Sequence, residues 1–144
     1  MSPRNPDFAK AVAEGFARQG MMTTLGAELI EVAHGRCVIA APITPELSQQ
    51  AGSAHAGLAF SLGDSAAGFA ALSTLEPGMD VVTVEMKIQL LAPAIGERLV
   101  AEGSVMRAGQ RIVSAEASVF AEEARKRTRV AYLTGTMLPV SRQH

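Results

Sequence analysis

The sequence predicts an α+β fold in which an antiparallel β-sheet wraps around one long central helix. Residues 47–75, which read LSQQAGSAHAGLAFSLGDSAAGFAALSTL, contain Asp64 as their only charged residue. A helix with so few polar side chains is typical of a protein interior. From about residue 80 onward, apolar residues recur with a period of two, which predicts half-buried strands. With 144 residues and 48% hydrophobic content, the chain can bury a core of its own.

The first predicted element is a short N-terminal helix. Asn5 supplies an N-cap and Pro6 the first helical residue. Three apolar side chains then follow at intervals of four residues: Phe8, Val12 and Phe16. The helix is expected to end near Gly20. We therefore predict a single domain over residues 1–144, with residues 1–22 as its N-terminal helical extension.

Strands are predicted on both sides of the central helix. Residues 23–33 and 36–42 form the first pair, joined by a tight turn at His34-Gly35. The helix spans about 56–75, and four more strands follow in a meander: 80–91, 97–107, 111–121 and 127–138. In the first of these four strands, strict alternation places Thr83 on the face opposite its apolar neighbours Val82 and Val84.

Composition argues against several classes of function. The formal net charge is -1, so no overall field attracts nucleic acid or an anionic membrane. Cys37 is the only cysteine, which excludes an internal disulfide, and we expect no metal site. The first residues contain no apolar run of the secretory type, which predicts a cytoplasmic location. The central aspartate makes a membrane span over residues 47–75 a poor alternative.

Asp64 is the strongest candidate for chemistry. An ionised carboxylate that is buried without a partner costs several kcal/mol or has its pKa raised. At the start of the same helix, free amides from Gly57 onward point along the positive end of the helix dipole and can hold a developing oxyanion. A carboxylate and an oxyanion site are two of the groups that acyl transfer to water requires.

The spacing of these two groups predicts a dimer. Gly57 and Asp64 are seven residues apart, which is about 10 Å along a helix axis, so they cannot both reach one carbonyl carbon. An antiparallel partner helix across a two-fold axis would bring its own aspartate beside this glycine. Such an approach is favoured by a face of mostly small residues: Gly57, Phe60, Ser61, Asp64, Ala67, Gly68 and Ala71.

Four segments together resemble a known family. Gln49, His55-Ala56-Gly57, Asp64-Ser65 and the strand Val82-Thr83-Val84-Glu85-Met86 are similar to the hotdog-fold acyl-CoA thioesterases of the phenylacetic-acid-degradation type. The similarity extends from about Leu25 to Leu138 and includes the hairpin from Arg107 to Arg111. It implies a hotdog fold, an acyl-CoA substrate, no cofactor other than the coenzyme A of that substrate, and a homodimer with shared sites that assembles into a tetramer.

The resemblance also implies roles for individual residues. The Gly57 amide corresponds to the oxyanion donor, and Asp64 to the helix carboxylate that acts as nucleophile or general base. Gln49 corresponds to the residue that orients the water or carbonyl, and Thr83 to the hydroxyl that supports the water. Ala56 stands where the family usually has glycine. Further substrate contacts are expected from six residues: His55, Ala56, Phe60, Ser65, Arg107 and Arg111.

Several alternatives remain open from the sequence. A non-catalytic acyl-CoA-binding module uses the same fold, but such a module gains nothing from Asp64. A hydratase of this fold would need an Asp-then-His order that the helix lacks. His55 is best interpreted as a structural residue at the helix start, and Gln50 is an alternative to Gln49. The basic run over residues 125–129 competes with Arg107 and Arg111 for the coenzyme A phosphates.

Overall fold

Residues 2–142 of the chain are described by a computed structural model in which six strands form one antiparallel sheet. Met1, Gln143 and His144, at the limits of the predicted domain, lie outside the described residues. The helices are α1 (Phe8–Arg18), α2 (Gly20–Thr24) and α3 (Ala56–Leu72), with a 3-10 turn at Pro45–Leu47. The strands are β1 (Glu28–Ala33), β2 (Arg36–Pro42), β3 (Met79–Leu90), β4 (Arg98–Ala108), β5 (Val113–Glu123) and β6 (Lys126–Ser141).

The sheet order is β1-β2-β4-β5-β6-β3, which confirms the predicted α+β architecture but not a simple meander. Strands β4, β5 and β6 follow one another through hairpins, whereas β3 pairs with β6 at the far edge of the sheet. The cause is α3, which connects β2 to β3 and carries the chain across one face of the sheet. Strand β3 therefore ends as an edge strand.

Helix α3 is buried against the sheet because its small residues permit close approach. A methyl group on Gly103 of β4 would lie 2.3 Å from the backbone carbonyl of Ala66, so the helix rests directly on this strand. A methyl group on Gly63 would lie 2.7 Å from the Leu133 side chain. Ala67 and Ala71, predicted on the face open to a partner, are instead fully buried within the chain. Gly57 remains exposed.

Strand β3 contains a β-bulge that changes which residues face the helix. Its pairing with β6 skips a residue between Thr83 and Glu85, so Val84 is the extra residue. Before the bulge, Met79 and Val81 pack on the core, and after it the core-facing residues are Met86 and Ile88. The predicted strict alternation over residues 80–91 is therefore wrong. Thr83 shares the face of Val81 and points toward α3.

The N-terminal segment lies on α3 and contains one helix that was not predicted. Asn5 Oδ1 accepts a hydrogen bond of 2.9 Å from the Asp7 N–H. The first helix begins at Phe8, with Asp7 at its N-cap position, rather than at Pro6. Helix α2 occupies Gly20–Thr24, where a strand was expected to begin. Phe16 packs edge-to-face on Phe69 of α3 at 6.2 Å. Within residues 2–142, no helix combines the length and apolar character needed to cross a membrane.

Candidate active site

Asp64 is held by a hydroxyl from the edge strand. Thr83 Oγ1 donates a hydrogen bond of 2.8 Å to Asp64 Oδ1. The carboxylate is half-buried and has this partner, so the expectation that it is buried without a partner is wrong. Its small apolar neighbours along the sequence turn toward the sheet, while Asp64 itself turns toward β3 and solvent. The aspartate and Thr83 come together although 19 residues separate them.

A shallow depression of about 150 Å³ surrounds this carboxylate. Within it, Ser65 Oγ donates a hydrogen bond of 3.2 Å to Gln19 Oε1, from the junction of α1 and α2. The residues around it are Gln19, Asp64, Ser65, Gly68, Phe69, Asp80, Val81 and Thr83. Sequence reasoning did not find Gln19 or Asp80. Neither belongs to a motif, and no local pattern connects the N-terminal extension to the central helix.

His55 caps the N-terminus of α3. Its backbone is extended, with φ −62° and ψ 142°, and its Nδ1 accepts a hydrogen bond of 2.8 Å from the Gly57 N–H. The structural role predicted for His55 is confirmed, while the expectation that the Gly57 amide is free is wrong. The Leu58 N–H donates to the His55 carbonyl at 2.9 Å. The Ala56 N–H, the first of the helix, makes no hydrogen bond with residues 2–142.

An apolar groove of about 730 Å³ opens beside this helix end. Its wall is formed by the end of β3, the segment after it and β6, and its polar groups come from the loop before α3. Gln49 lies in that loop, where its Oε1 accepts from the Ala51 N–H. The lining residues are Gln49, Ala51, Ser53, Ala54, His55, Ala56, Ala59, Leu90, Leu91, Ala92, Pro93, Ala94 and Val130. A largely apolar cleft with a few placed polar groups is typical of a small-molecule site.

One chain therefore carries two separate halves of the predicted site. Gln49 and Ala56 line the groove, whereas Asp64 and Thr83 line the smaller depression. Phe60 lies on α3 between the two and is half-buried. Within a single copy, Asp64 and Thr83 are thus brought together, but Gln49 and the start of α3 lie apart from them, in agreement with the spacing argument.

The basic candidates differ in how far they are engaged within the chain. Arg127 forms an ion pair with Glu102 and lies 3.5 Å from the Phe120 ring, so its guanidinium is committed to the sheet surface. Arg107 and Arg111 are exposed around a depression of about 310 Å³ at the β4–β5 hairpin. Neither of them forms an ion pair with a residue of the described range.

The remaining candidates among the described residues are the potential metal ligands and the single thiol. Over positions 2–142, no group of three or more His, Cys, Asp or Glu side chains is arranged to hold a metal ion. Cys37 is fully buried on β2, and this burial raises the pKa of its thiol to about 12. The thiolate is thus a negligible species near neutral pH.

Comparisons with known proteins agree on one family. Residues 51–128 match the sequence model of the Thioesterase superfamily. A protein of Saccharolobus solfataricus named "Putative esterase" is 33% identical over 111 residues, which cover 76% of this chain and 79% of that protein. A thioesterase family protein from Silicibacter pomeroyi superposes with a TM-score of 0.91 at 36% identity, covering 93% of this chain and 98% of that one. The E. coli PaaI protein, from the phenylacetic acid degradation operon, superposes with a TM-score of 0.85 at 20% identity, covering 95% of this chain and 96% of that one. This similarity shows a shared fold.

Proposed function

Because the chain belongs to the thioesterase superfamily, we propose that it hydrolyses acyl-CoA thioesters to a free acid and coenzyme A. It is a thioester hydrolase of the hotdog fold. The acyl group is an aryl or alkyl group. The observation that carries the proposal is the hydrogen bond from Thr83 to Asp64. This bond holds the Asp64 carboxylate at the rim of α3, where the carboxylate is open to a substrate. A carboxylate with a purely structural role, such as one in an ion pair, would not need to be open in this way.

The oxyanion donor in this proposal is the amide of Ala56. The Gly57 N–H already donates to His55 Nδ1, whereas the Ala56 N–H makes no hydrogen bond with residues 2–142 and lines the groove. The cap holds the first turn of α3 rigid, so the free N–H is preorganised for a developing negative charge. Gln49, in the same groove, positions the thioester carbonyl or the water.

Two copies of the chain are needed to complete the site. Ala56 and Asp64 are eight residues apart, or about 12 Å along the axis of α3. Strand β3 is an edge strand whose Val82 and Val84 side chains are 47% and 60% exposed. Pairing β3 with β3 about a two-fold axis would continue the sheet and cover these side chains. The same axis would set the two α3 helices antiparallel, with Asp64 of the partner subunit beside this Ala56.

The reaction then follows from the groups in the completed site. Asp64 of the partner subunit accepts a proton from water as the water oxygen bonds to the thioester carbon, and the Ala56 N–H stabilises the resulting oxyanion. When the carbonyl re-forms, the carbon–sulfur bond breaks. The proton passes from the carboxyl group to the thiolate, which releases coenzyme A and the free acid. Thr83 keeps the carboxylate in position throughout.

A second route uses Asp64 as the nucleophile. Its oxygen bonds to the thioester carbon, the thiolate leaves, and water then cleaves the resulting anhydride. Single turnover in ¹⁸O-labelled water distinguishes the two routes, because only the nucleophilic route can introduce the label into the Asp64 carboxylate.

The experiment that tests the proposed function is a thiol-release assay over a panel of aryl-CoA and alkyl-CoA thioesters. Wild type is expected to release free coenzyme A from at least one class, and Asp64→Asn to lower its turnover by roughly 10² to 10⁴. Asp7→Asn is the matched control, because Asp7 is exposed ahead of α1 and makes no side-chain cap. Tight binding of acyl-CoA without release of thiol would identify a binding module instead.

A further inference from the structure

Gln19 is a polar residue beside Asp64 to which the proposed reaction assigns no role. It lies between α1 and α2, where its backbone N–H donates to the Phe16 carbonyl and its carbonyl accepts from the Met22 N–H. The first bond joins Gln19 to α1 and the second joins it to α2. Because Phe16 also packs on Phe69 of α3, the Gln19 backbone is held at a defined place over the central helix.

The side chain of Gln19 is oriented by one hydrogen bond. Ser65 Oγ donates to its Oε1 at 3.2 Å, which engages the carbonyl end of the carboxamide. The two N–H groups of Nε2 lie at the other end of the planar group and make no hydrogen bond with residues 2–142. Gln19 and Asp64 line the same depression of about 150 Å³.

Few acceptors are available in this depression. Asp64 Oδ1 accepts from Thr83, while its Oδ2 accepts no hydrogen bond within the described range. Asp80 is the other titratable residue that lines the depression, and its Oδ1 accepts from the Val81 N–H at 2.8 Å. A water on Asp64 Oδ2 would lie in the depression that Gln19 also lines.

We infer that Gln19 is a positioning residue for Asp64: its carboxamide, oriented by Ser65, donates to the free carboxylate oxygen or to the water that this oxygen activates. The inference rests on the proposed function. Thr83 and Gln19 then flank the carboxylate from β3 and from the N-terminal extension. The extension thereby supplies part of the site, in addition to covering α3.

The test is Gln19→Leu, which keeps the approximate size of the side chain but removes its donors. Turnover is expected to fall roughly tenfold, the effect of one hydrogen bond to a charged group, with little change in KM. Loss of a donor disfavours the ionised carboxylate, so the acidic limb of the kcat profile should move to higher pH. Ser65→Ala should shift both quantities in the same direction but by less.

Two further measurements separate positioning from a general structural role. In an Asp64→Asn background, Gln19→Leu is expected to cause no further loss, because its effect passes through the carboxylate. Thr23→Val, an exposed change in helix α2, which follows Gln19, should leave turnover and the pH profile unchanged. Circular dichroism and thermal unfolding show whether each variant folds, and Gln19→Asn, with a shorter carboxamide, serves if Gln19→Leu does not.

The outcomes also distinguish this inference from the proposed function. If wild type hydrolyses no acyl-CoA thioester, the proposed function fails. If wild type is active and Asp64→Asn is not, but Gln19→Leu keeps wild-type turnover and pH profile, only the role of Gln19 is overturned. Equal losses from Gln19→Leu with and without Asp64 also overturn it, because they indicate a structural contribution.

Discussion

The first two N–H groups of α3 differ in what they bind. The Gly57 N–H donates to His55 Nδ1 at 2.8 Å, and the Ala56 N–H is free of any partner among residues 2–142. The cap by His55 therefore leaves the Ala56 N–H as the amide that is open to a further acceptor. A Cβ on residue 57 would lie 2.9 Å from His55 Nδ1, so the cap also requires glycine there.

Ala56→Pro tests the oxyanion donor by removing a single N–H. Proline is tolerated at the first position of a helix, and His55 already has the extended backbone that precedes proline. The variant should fold normally and lose roughly 10² to 10³ in kcat, the usual effect of one oxyanion donor. Ala56→Gly keeps the N–H and should remain active. A fully active, folded Ala56→Pro would transfer the role to another group.

Cys37 should not react with thiol reagents in the folded protein. Because burial raises the pKa of its thiol to about 12, the thiolate is only about 10⁻⁴ of the population at pH 8. Ellman's reagent should detect no thiol in native protein over the time of an assay, and one per chain in guanidinium chloride. Rapid native labelling would mean that β2 opens readily. If Cys37 is unreactive as expected, it should not disturb an assay that detects the free thiol of coenzyme A.

Among the elements, α3 and β4 are coupled by direct backbone contact. Gly103→Ala would place a methyl group 2.3 Å from the Ala66 carbonyl, which the helix can relieve only by moving off the sheet. Overpacking of this kind costs about 1–3 kcal/mol of unfolding free energy, and displacement of α3 should also lower turnover. Urea unfolding measures the first effect and thiol release the second.

The control for that substitution is Gly20→Ala in α2. Apart from its chain neighbours and the backbone of its own helix, no heavy atom of the described residues lies within 4 Å of the methyl group it adds. Alanine also favours helix, so stability should hold or rise by up to about 1 kcal/mol. If both alanine substitutions had the same effect on the urea midpoint, the close approach of α3 to β4 would not be what makes Gly103 necessary.

In strand β3, a bulge in the backbone determines which side chain reaches Asp64. The bulge at Val84 allows Thr83 to face α3 while Met86 and Ile88, farther along the strand, face the core as well. In a regular strand these residues would occupy opposite faces, since Thr83 and Met86 are an odd number of residues apart. The bulge is thus the reason that a hydroxyl on β3 reaches the helix carboxylate.

For the whole molecule, the shared site predicts rescue between two inactive variants. Ala56→Pro damages the oxyanion half and Asp64→Asn the carboxylate half. In a mixed dimer, one site inherits both defects and the other neither. With random exchange, half of the dimers are mixed, so roughly a quarter of wild-type activity should return. Subunit exchange is verified by native mass spectrometry, and activity that stays at the level of the separate variants despite exchange would reject the two-chain site.

Much of the fold was predictable because it depends on local patterns. The apolar run around Asp64 predicts a buried helix, and α3 occupies Ala56–Leu72. The His34-Gly35 turn was also predictable, and Gly35 adopts the positive φ of +79° that favours glycine. Asp64 and Thr83 could be singled out from the motifs that resemble a family. Helix α2 could not, because Gly20–Thr24 has no periodicity and is held by its contacts.

The sequence by itself determined the class of the fold, the central helix and the candidate carboxylate, since hydrophobic period and an isolated charge are properties of neighbouring residues. Only the tertiary structure decided that β3 lies at the far edge, that a bulge turns Thr83 to Asp64, and that Gln19 lines the same depression as Asp64. It also decided that the Ala56 N–H rather than the Gly57 N–H stays free, because His55 Nδ1 accepts from the Gly57 N–H. These features depend on contacts between residues far apart in the chain, and no local pattern encodes such contacts.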